Sequence, residues 1–140
     1  MKVKYQLLAS DAKCPFRASD SAAGWDLFCT HYEVEGSHFL YHTGVAVEIP
    51  EGYAGFIFPR SSVYKTGMSL SNCVGVIDSD YRGEIMLRYR IDVPRDYNAY
   101  QKGDRCGQLV VMPVANITFE LVDELSDTKR GGGGFGSTGK

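Results

Sequence analysis

Apolar residues recur at every second position along much of the chain, and polar residues stand between them. The segments with this period are 3–8, 45–49, 53–58, 85–91, 108–114 and 117–122. Side chains alternate between the two faces of a β-strand, so the pattern predicts a strand in each segment. Many short strands separated by glycine and proline turns are typical of a β-sandwich or barrel.

One short helix is predicted to begin at Ser61 or Ser62, either of which can cap its start. Lys65 falls in its last turn, and Gly67 can adopt the left-handed conformation that ends it. The N-terminal amides of this helix would lie beside Arg60 and attract an anion. A plain turn between two strands is the alternative, and the segment alone does not decide between them.

Length and composition are those of one globular domain. The chain has 140 residues, of which 44% are hydrophobic and 23% are charged, and this is enough apolar surface to form one core. The formal net charge is −2 with neutral histidines, so no basic field exists to hold a nucleic acid. We expect no nucleic-acid partner, and any phosphate ligand has to be bound by local groups.

The cysteines and the N-terminus indicate a cytoplasmic protein. Cys14, Cys29, Cys73 and Cys106 include no C-x-x-C pair and no zinc-site spacing. The N-terminus lacks the apolar region of a signal peptide, and no apolar run approaches the roughly 18 residues of a membrane span. We therefore expect a soluble protein in a reducing compartment, without a membrane partner.

The histidines and Asp26 give little evidence for a metal site. His38 and His42 are four residues apart, a spacing that forms a zinc pair only on a helix, and this region is rich in strands. We interpret these two residues and His31 as loop or surface residues. Asp26 lies between large apolar neighbours, where an acid is more often the structural partner of an arginine than a contact to the waters of a metal.

The segment 75–84 carries the most informative polar residues. Asp78 follows an apolar run directly, and Asp80 comes two residues later. A carboxylate partly buried beside Val76 and Ile77 could hold a water and act as a general base. A plain turn is the alternative, because Asp, Ser and Gly are common turn formers, and the residues alone favour the turn.

The glycine-rich segment 130–140 has almost no side chains to pack and would by itself be a disordered tail. Its last seven residues imitate a P-loop, but that motif requires a Ser or Thr after the lysine and a helix behind it. We therefore reject a Walker-type NTPase. Glycine amides, the hydroxyls of Ser137 and Thr138, and the Arg130 guanidinium are nevertheless suited to binding phosphate.

Five segments together resemble the motifs of a known family. They are AAGWDL at 22–27, PRSS at 59–62, NCVGVIDSDYRG at 72–83, GDRCGQL at 103–109 and RGGGGFGSTG at 130–139. In this order they are similar to the five motifs of the trimeric deoxyuridine triphosphatase (dUTPase) family. The third and fifth motifs are the most diagnostic, and the resemblance spans most of the chain.

The resemblance implies a fold and an activity. The family consists of homotrimers of strand-rich, jelly-roll-like subunits. We therefore expect residues 1–128 to form an all-β, distorted jelly-roll or β-clip barrel with one short helix, and this barrel to assemble as a homotrimer. Residues 129–140 would form a flexible arm that closes over the active site. The family hydrolyses dUTP to dUMP and pyrophosphate with Mg²⁺ in three shared active sites. This reaction keeps uracil out of DNA and supplies dUMP for dTMP synthesis.

The resemblance also implies how the nucleoside is bound. Asp78 matches the general base, which deprotonates a water that attacks the α-phosphorus. Tyr81 matches the ring that packs against the deoxyribose and leaves no room for a ribose 2′-OH. Asn72 and Gly75 match positions that bind uracil, and Phe135 matches the ring that stacks on it.

The phosphates and the metal are assigned in the same way. The phosphate-binding positions that the resemblance implies are Arg60, Ser61, Ser62, Gln108, Arg130, Gly136, Ser137 and Thr138. Asp26 matches the acid that holds the waters of Mg²⁺ without touching the ion. A dense carboxylate cluster is not needed, because Mg²⁺ keeps most of its waters and binds substrate phosphates.

Departures from the family pattern remove no functional group. Trp25 stands where Tyr or Leu is usual, Ser62 replaces a frequent Gly, and Cys106 with Gly107 replaces a small apolar pair. Ser62 is shared with the related dCTP deaminases, which have the same fold. Their catalytic Glu aligns with Arg88 of this chain, so deaminase activity is not expected.

A second class of function stands beside the enzyme. The same fold could serve a nucleotide-binding regulatory protein, in which the nucleotide switches contacts with an unknown protein partner. Every expected catalytic position is filled, which favours the active enzyme. A specialised contact would be placed most readily in the polar segment 90–100, and a purely structural trimer would leave the motifs unexplained.

Overall fold

This computed structural model describes residues 1–134, which contain ten β-strands and one short 3₁₀ helix. In chain order the strands are β1 (Lys4–Leu7), β2 (Trp25–Phe28), β3 (His31–Glu35), β4 (His38–His42), β5 (Val45–Glu48), β6 (Tyr53–Phe58), β7 (Met68–Leu70), β8 (Gly75–Ile77), β9 (Met86–Ile91) and β10 (Arg105–Pro113). The 3₁₀ helix, Ser61–Lys65, lies between β6 and β7. The all-β class predicted from the alternating pattern is therefore confirmed.

The strands pair antiparallel in three sheets. Strands β1 and β5 form a two-stranded sheet, and the two larger sheets have the orders β2-β10-β6-β8 and β3-β4-β9-β7. In the first larger sheet, Gln108 of β10 lies opposite Asp26 of β2 on one side and Phe58 of β6 on the other. Ile77 of β8 lies opposite Gly55, toward the other end of β6.

The two four-stranded sheets share one apolar core. Leu87 and Tyr89 of β9 are buried in the same cluster as Leu27 of β2 and Leu109 of β10. Gly107 lets the sheets approach each other, because a β-carbon there would collide with the side chain of Leu87. Alternate residues of each strand thus build the core, as the period of two predicts.

Three buried tyrosines lie at the centre of this core. The rings of Tyr41, Tyr89 and Tyr100 have centroids 5.6–5.7 Å apart and meet edge to face, which is a favourable aromatic geometry. The Tyr89 hydroxyl donates to the carbonyl of Cys106 at 2.7 Å, and the Tyr41 hydroxyl accepts from the Tyr100 amide at 3.1 Å. These bonds offset the cost of burying the two hydroxyls.

One predicted strand is wrong. Residues 117–122 form no strand, and Phe119 and Leu121 are 96% and 99% exposed. The alternating pattern is present, but a strand requires a partner for its amides and carbonyls, and within the described residues this segment finds none. The other predicted strands are confirmed to within a few residues at their ends.

The predicted helix is confirmed as a single 3₁₀ segment of five residues. Its N-cap is Arg60, and no side chain caps it, so the prediction that Ser61 or Ser62 caps the helix is wrong. Gly67 follows with a positive φ of 65°, as predicted. No helix within residues 1–134 is long and apolar enough to cross a membrane.

The cysteines offer a test of this core. All four are free, and Cys29 and Cys106 are buried while Cys14 and Cys73 are exposed. Burial raises the pKa of the Cys29 thiol to about 11 and that of Cys106 further. Because the thiolate is the reactive form, we expect Cys29 and Cys106 to resist a thiol reagent at neutral pH until the protein is unfolded.

Mass spectrometry of tryptic peptides after iodoacetamide treatment would locate the modified thiols. Cys14→Ser with Cys73→Ser is the matched control, since this variant retains only the buried pair. Rapid modification of Cys29 or Cys106 in the folded control variant would contradict the packing described.

Candidate active site

The segment after β8 forms a braced turn that presents Asp78. The Tyr81 amide donates to the Asp78 carbonyl at 3.2 Å, and the Tyr81 hydroxyl donates to the Glu84 carbonyl at 3.0 Å. The Arg82 guanidinium donates to the carbonyl of Ser79 at 2.7 Å. The turn predicted for this segment is confirmed, and it holds the Tyr81 ring beside Asp78.

A cleft of about 230 Å³ opens at this turn, lined by Val76, Ile77, Asp78, Tyr81, Glu84 and Met86. Asp78 is exposed rather than partly buried as expected, because it lies in the turn beyond the last residue of β8. Its carboxylate accepts no hydrogen bond from any residue in the described range, so it is free to accept one from water. The cleft is smaller than the roughly 300–1,000 Å³ of a usual ligand pocket.

Glu84 is a charged residue of this cleft that the sequence analysis missed. One carboxylate oxygen accepts from the Gly44 amide at 2.7 Å, and the other lies 2.9 Å from Nδ1 of His42. Burial raises the pKa of Glu84, but the bonds from His42 and Gly44 outweigh burial and hold it below its ordinary value. The sequence feature that could have indicated Glu84 is its position between the third motif segment, which ends at residue 83, and the predicted strand 85–91.

The two positions predicted to bind uracil lie together at the start of β8. Asn72 is exposed in the turn between β7 and β8, and Gly75 is buried. A β-carbon on Gly75 would lie 3.3 Å from the Asn72 side-chain nitrogen, so the amide packs over the glycine. Asn72, Gly75, Asp78 and Tyr81 therefore follow one edge strand and the turn behind it.

A second cluster surrounds Asp26 of β2, at the opposite edge of the same sheet from β8. One carboxylate oxygen of Asp26 accepts from Nε of Arg60 at 3.0 Å, and the other accepts from Nη1 of Arg105 at 3.0 Å. The Asp26 side chain is only 13% exposed. Two guanidiniums thus share one carboxylate, and the cluster keeps a net positive charge.

Gln108 completes this cluster. Its side-chain amide donates to the Pro59 carbonyl at 3.0 Å, at the point where β6 leads into the 3₁₀ helix. Its oxygen occupies the space where a β-carbon on Gly24 would stand, so Gly24 is required for this position of Gln108. The first, second and fourth motif segments therefore meet at one place.

A cleft of about 360 Å³ adjoins the Asp26 cluster. Its cationic residues are Arg60, Lys65 and Arg105, and Ser62 contributes a hydroxyl. Ser61 is exposed at the first position of the 3₁₀ helix. This concentration of positive charge and donors suits an anion such as a phosphate chain.

Arg105 and Lys65 of this cleft were not predicted as site residues. Arg105 lies within the fourth motif segment, and a half-buried acid such as Asp26 requires cationic partners. The sequence could therefore have indicated that Asp26 has a cationic partner. Only the pairing of β2 with β10 identifies that partner as Arg105.

The two clusters are far apart within one protomer. Ile77 pairs with Gly55, so Asp78 lies beside the first residues of β6, whereas Arg60 follows the last. Asp78 follows Ile77 and therefore stands level with Ala54. The six steps along the chain from Ala54 to Arg60 amount to about 20 Å at the rise of a strand. One protomer therefore does not bring Asp78 and the phosphate-binding positions together.

The predicted residues near the C-terminus join neither cluster. Arg130 is exposed, and its Nε donates to the carbonyl of Gly133 at 2.8 Å within a turn. Phe135, Gly136, Ser137 and Thr138 lie outside the described residues. Their predicted roles stay predictions.

All three histidines are strand residues, so the interpretation of them as loop or surface residues holds only for His31, which is exposed, whereas His38 and His42 are half-buried. His31 begins β3, His38 begins β4 and His42 ends it. His42 is also largely buried, with a side chain that is 15% exposed. The pairing of β3 with β4 places His31 directly opposite His42, which the sequence spacing did not reveal.

Comparison with known proteins gives a consistent result. The family model described as dUTPase matches residues 10–139. A deoxyuridine 5′-triphosphate nucleotidohydrolase of Hydrogenobaculum sp. (strain Y04AAS1) is 43% identical, and the alignment covers 99% of both chains. The enzyme of the same name from Clostridium tetani is 40% identical over 99% of this chain and 97% of its own.

Solved structures agree. The dUTPase of Staphylococcus bacteriophage 80alpha with dUPNHPP superposes with a TM-score of 0.87 at 28% identity, and 99% of each chain is covered. A point variant of the dUTPase from phage phi11 of S. aureus, described with a structural Mg(II) ion, has a TM-score of 0.77 at 26% identity. That match covers 89% of this chain and 98% of the other.

The Asp26 cluster predicts a large stability effect. In Asp26→Asn the two guanidiniums lose the charge that compensates them in a largely buried position, so we expect a loss of about 1–3 kcal/mol in the free energy of unfolding. Urea denaturation followed by tryptophan fluorescence would measure it.

Glu48→Gln is the matched control, because it removes the exposed ion pair between Glu48 and Lys4. Exposed pairs contribute little, so no measurable change is expected there. Equal effects of the two substitutions would show that Asp26 is not a structural centre.

Proposed function

The chain belongs to the dUTPase family and is a dUTP diphosphatase, and from this premise we propose how its residues carry out the reaction in the cytoplasm. Asp78 accepts a proton from a water whose oxygen attacks the α-phosphorus of dUTP. The bond from that phosphorus to the bridging oxygen breaks, and the products are dUMP and pyrophosphate. The reaction removes a source of uracil in DNA and supplies dUMP for dTMP synthesis.

The observation that carries this mechanism is the free, exposed carboxylate of Asp78 on a braced turn. A general base has to reach the water that it deprotonates, and the Asp78 carboxylate is bonded to no described residue of its own protomer. The backbone bond from the Tyr81 amide to the Asp78 carbonyl holds the main chain of this turn in place.

Selection of the nucleoside rests on Tyr81, Asn72 and Gly75. The Tyr81 hydroxyl is bonded to the Glu84 carbonyl, so the ring is held against the cleft and would collide with a ribose 2′-OH. The Asn72 amide over Gly75 can donate to and accept from the polar edge of uracil. A site that pairs with the polar edge of uracil rejects a base with a mismatched donor and acceptor pattern.

The phosphate chain binds to the cationic cleft. Arg60 has guanidinium donors beyond the Nε that Asp26 uses, and Ser61 and Ser62 add hydroxyls at the start of the 3₁₀ helix. Gln108 holds the Pro59 carbonyl that precedes Arg60, and so it fixes the direction of that side chain. Positive charge here also stabilises the negative charge that develops on the leaving pyrophosphate.

Mg²⁺ fits this site through the substrate. Both carboxylate oxygens of Asp26 already accept from guanidiniums, so Asp26 is better suited to hold the waters of the ion than to ligate it. Mg²⁺ binds readily to phosphate oxygens and keeps several waters, and it would neutralise the charge of the triphosphate. The family membership supports this assignment, and a phi11 relative is described with a Mg(II) ion.

A homotrimer with shared active sites accounts for the separation of the two clusters. Asp78 and Arg60 are separated by about 20 Å along β6 of one protomer, whereas two protomers of a distorted jelly-roll barrel can supply one residue each to the same nucleotide. The exposed apolar residues of the C-terminal segment also indicate a subunit interface. They are Ile117, Phe119, Leu121 and Leu125.

The segment 129–140 is proposed to close over the bound nucleotide. Arg130, Gly136, Ser137 and Thr138 would bind the outer phosphates, and Phe135 would stack on uracil. The exposed position of Arg130 leaves its guanidinium accessible to a ligand of this kind. A closed arm excludes water other than the attacking one.

A regulatory role beside catalysis is the second candidate. Phage dUTPases, among them the bacteriophage 80alpha relative, are described as controlling the transfer of virulence genes by a G protein-like mechanism. In this chain the segment 92–98 is exposed and polar, which makes it the place where a protein partner would bind.

Asp78→Asn is expected to lower kcat for dUTP by about 10²–10⁴ while binding of dUTP is retained, because an amide cannot accept the proton. Pyrophosphate release with Mg²⁺ would be measured in parallel for dUTP, dCTP, dTTP and UTP. We expect rapid turnover of dUTP alone.

Asp80→Asn is the matched control, since Asp80 is an exposed acid of the same turn that lines neither cleft. Equal loss of activity in the two variants would mean that Asp78 is not the base. Turnover of UTP at the rate of dUTP would contradict the role of Tyr81.

Mixing two inactive variants tests whether sites are shared between protomers. If Asp78 and Arg60 of one site come from different protomers, co-refolding Asp78→Asn with Arg60→Ala restores about a quarter of the sites by random assortment. Pyrophosphate release before and after mixing would measure this gain. No recovery in mixed oligomers, shown to have formed by native mass spectrometry, would mean that each protomer supplies both residues.

A further inference from the structure

The outer face of the β3-β4 pair carries a cluster that the reaction does not use. His31 and His42 lie directly opposite each other, with ring centroids 4.2 Å apart and ring planes within 10° of parallel. Oε1 of Glu33 lies 3.5 Å from Nε2 of His42. The ligating atoms of the three side chains all lie within 4.8 Å of one another.

The hydrogen bonds of His42 fix which ring nitrogen carries its proton. Nδ1 lies 2.9 Å from a carboxylate oxygen of Glu84, whose other oxygen accepts from the Gly44 amide. A carboxylate can only accept, so Nδ1 of His42 is the donor. In the neutral ring Nε2 then carries a lone pair and points toward Glu33.

Thr30 occupies the other nitrogen of His31. Its hydroxyl oxygen lies 3.2 Å from Nδ1 of His31 and 3.1 Å from the His42 carbonyl. Nε2 is therefore the nitrogen of His31 that remains for an ion, and it offers a lone pair once its proton is released.

In the neutral form of His42, the acceptor Nε2 therefore faces a second acceptor, the Glu33 carboxylate. Nε2 of His42 is buried and has no hydrogen-bond partner within the described residues. Its neighbour at 3.5 Å is the carboxylate of Glu33, which also offers only lone pairs. A buried acceptor without a donor is costly, and a cation between the two groups would remove that cost.

We propose that His31, Glu33 and His42 form a zinc site, in which the ion binds the two Nε2 atoms and the Glu33 carboxylate. Two imidazoles and one carboxylate are ligands that Zn²⁺ favours, and water would occupy the fourth tetrahedral position. Mg²⁺ prefers a shell of oxygen atoms and is a poor match for imidazole.

Binding of an ion requires the His31 ring to leave its stacked position. A metal lies in the plane of each imidazole that ligates it, and two rings within 10° of parallel share no such point beside them. Nε2 of His42 and Oε1 of Glu33 are already 3.5 Å apart, close to the roughly 3.4 Å between two ligands of a tetrahedral zinc. His31 is exposed, so its ring can turn about the side-chain torsions toward the ion, while Glu84 holds the His42 ring by Nδ1.

The charges of the site also balance. Two neutral imidazoles, the Glu33 carboxylate and the Glu84 carboxylate carry two negative charges, which one divalent ion neutralises. The site lies on the β3-β4 face rather than in the Asp78 cleft, although Glu84 reaches both. Zinc binding therefore does not depend on the proposed reaction, and its test uses a readout other than activity.

Zinc titration of the metal-free full chain, in competition with a chromophoric zinc indicator, tests the proposal. We expect one Zn²⁺ per chain for the wild type, and at least a tenfold weaker affinity for His31→Gln, Glu33→Gln and His42→Gln. The affinity should persist in a large excess of Mg²⁺. His31 and Glu33 are exposed, so these two variants report on the site even if His42→Gln fails to fold.

His38→Gln is the matched control, because His38 lies on the same face of β4 and opposite an acid, Glu35. This variant should bind zinc like the wild type. Equal loss in His38→Gln, or wild-type binding no tighter than that of His31→Gln, would show adventitious surface binding and overturn the proposal.

Nitrogen NMR of the histidine rings gives an independent readout. In the metal-free protein we expect the Nδ1–H tautomer for His42, and a shift of the Nε2 signals of both His31 and His42 on addition of Zn²⁺. A His42 ring protonated on both nitrogens, with signals that zinc leaves unchanged, would mean that a proton rather than a metal bridges Glu33 and Glu84.

Discussion

Strand β6 sets the distance on which the arrangement of the site depends. It pairs with β10 along one side and with β8 along the other, so it carries the Asp26 cluster at its end and Asp78 beside its start. Extended backbone has a fixed rise, and the separation of about 20 Å cannot be closed by side-chain motion. The Asp26 cluster and Asp78 are therefore two separate groups within one protomer.

Partly buried charge gives the cationic cluster its rigidity. Asp26 cannot remain charged in a largely buried position without partners, and Arg60 and Arg105 supply them from two different elements. The same contacts tie β2, β10 and the start of the 3₁₀ helix together. The ion pairs that hold these elements together therefore also supply the positive charge of the adjoining cleft.

Glu84 likewise connects separate elements of the fold through hydrogen bonds. Its carbonyl accepts from the Tyr81 hydroxyl in the Asp78 cleft, and its carboxylate lies 2.9 Å from Nδ1 of His42 on the β3-β4 face. The residue was invisible to motif analysis because its partners come from strands remote in sequence. Arg105 was missed for the same reason, although its motif segment had been identified.

The sequence by itself determined the all-β class, five of the ten strands (β1, β5, β6, β9 and β10) and the family, because period-two alternation and contiguous motifs are local properties of the chain. It did not determine that 117–122 lacks a strand partner or that His31 faces His42. Those outcomes depend on strand pairing, and pairing is decided by contacts between distant segments. Only the tertiary structure could therefore separate Asp78 from Arg60 and bring three metal-ligating side chains together.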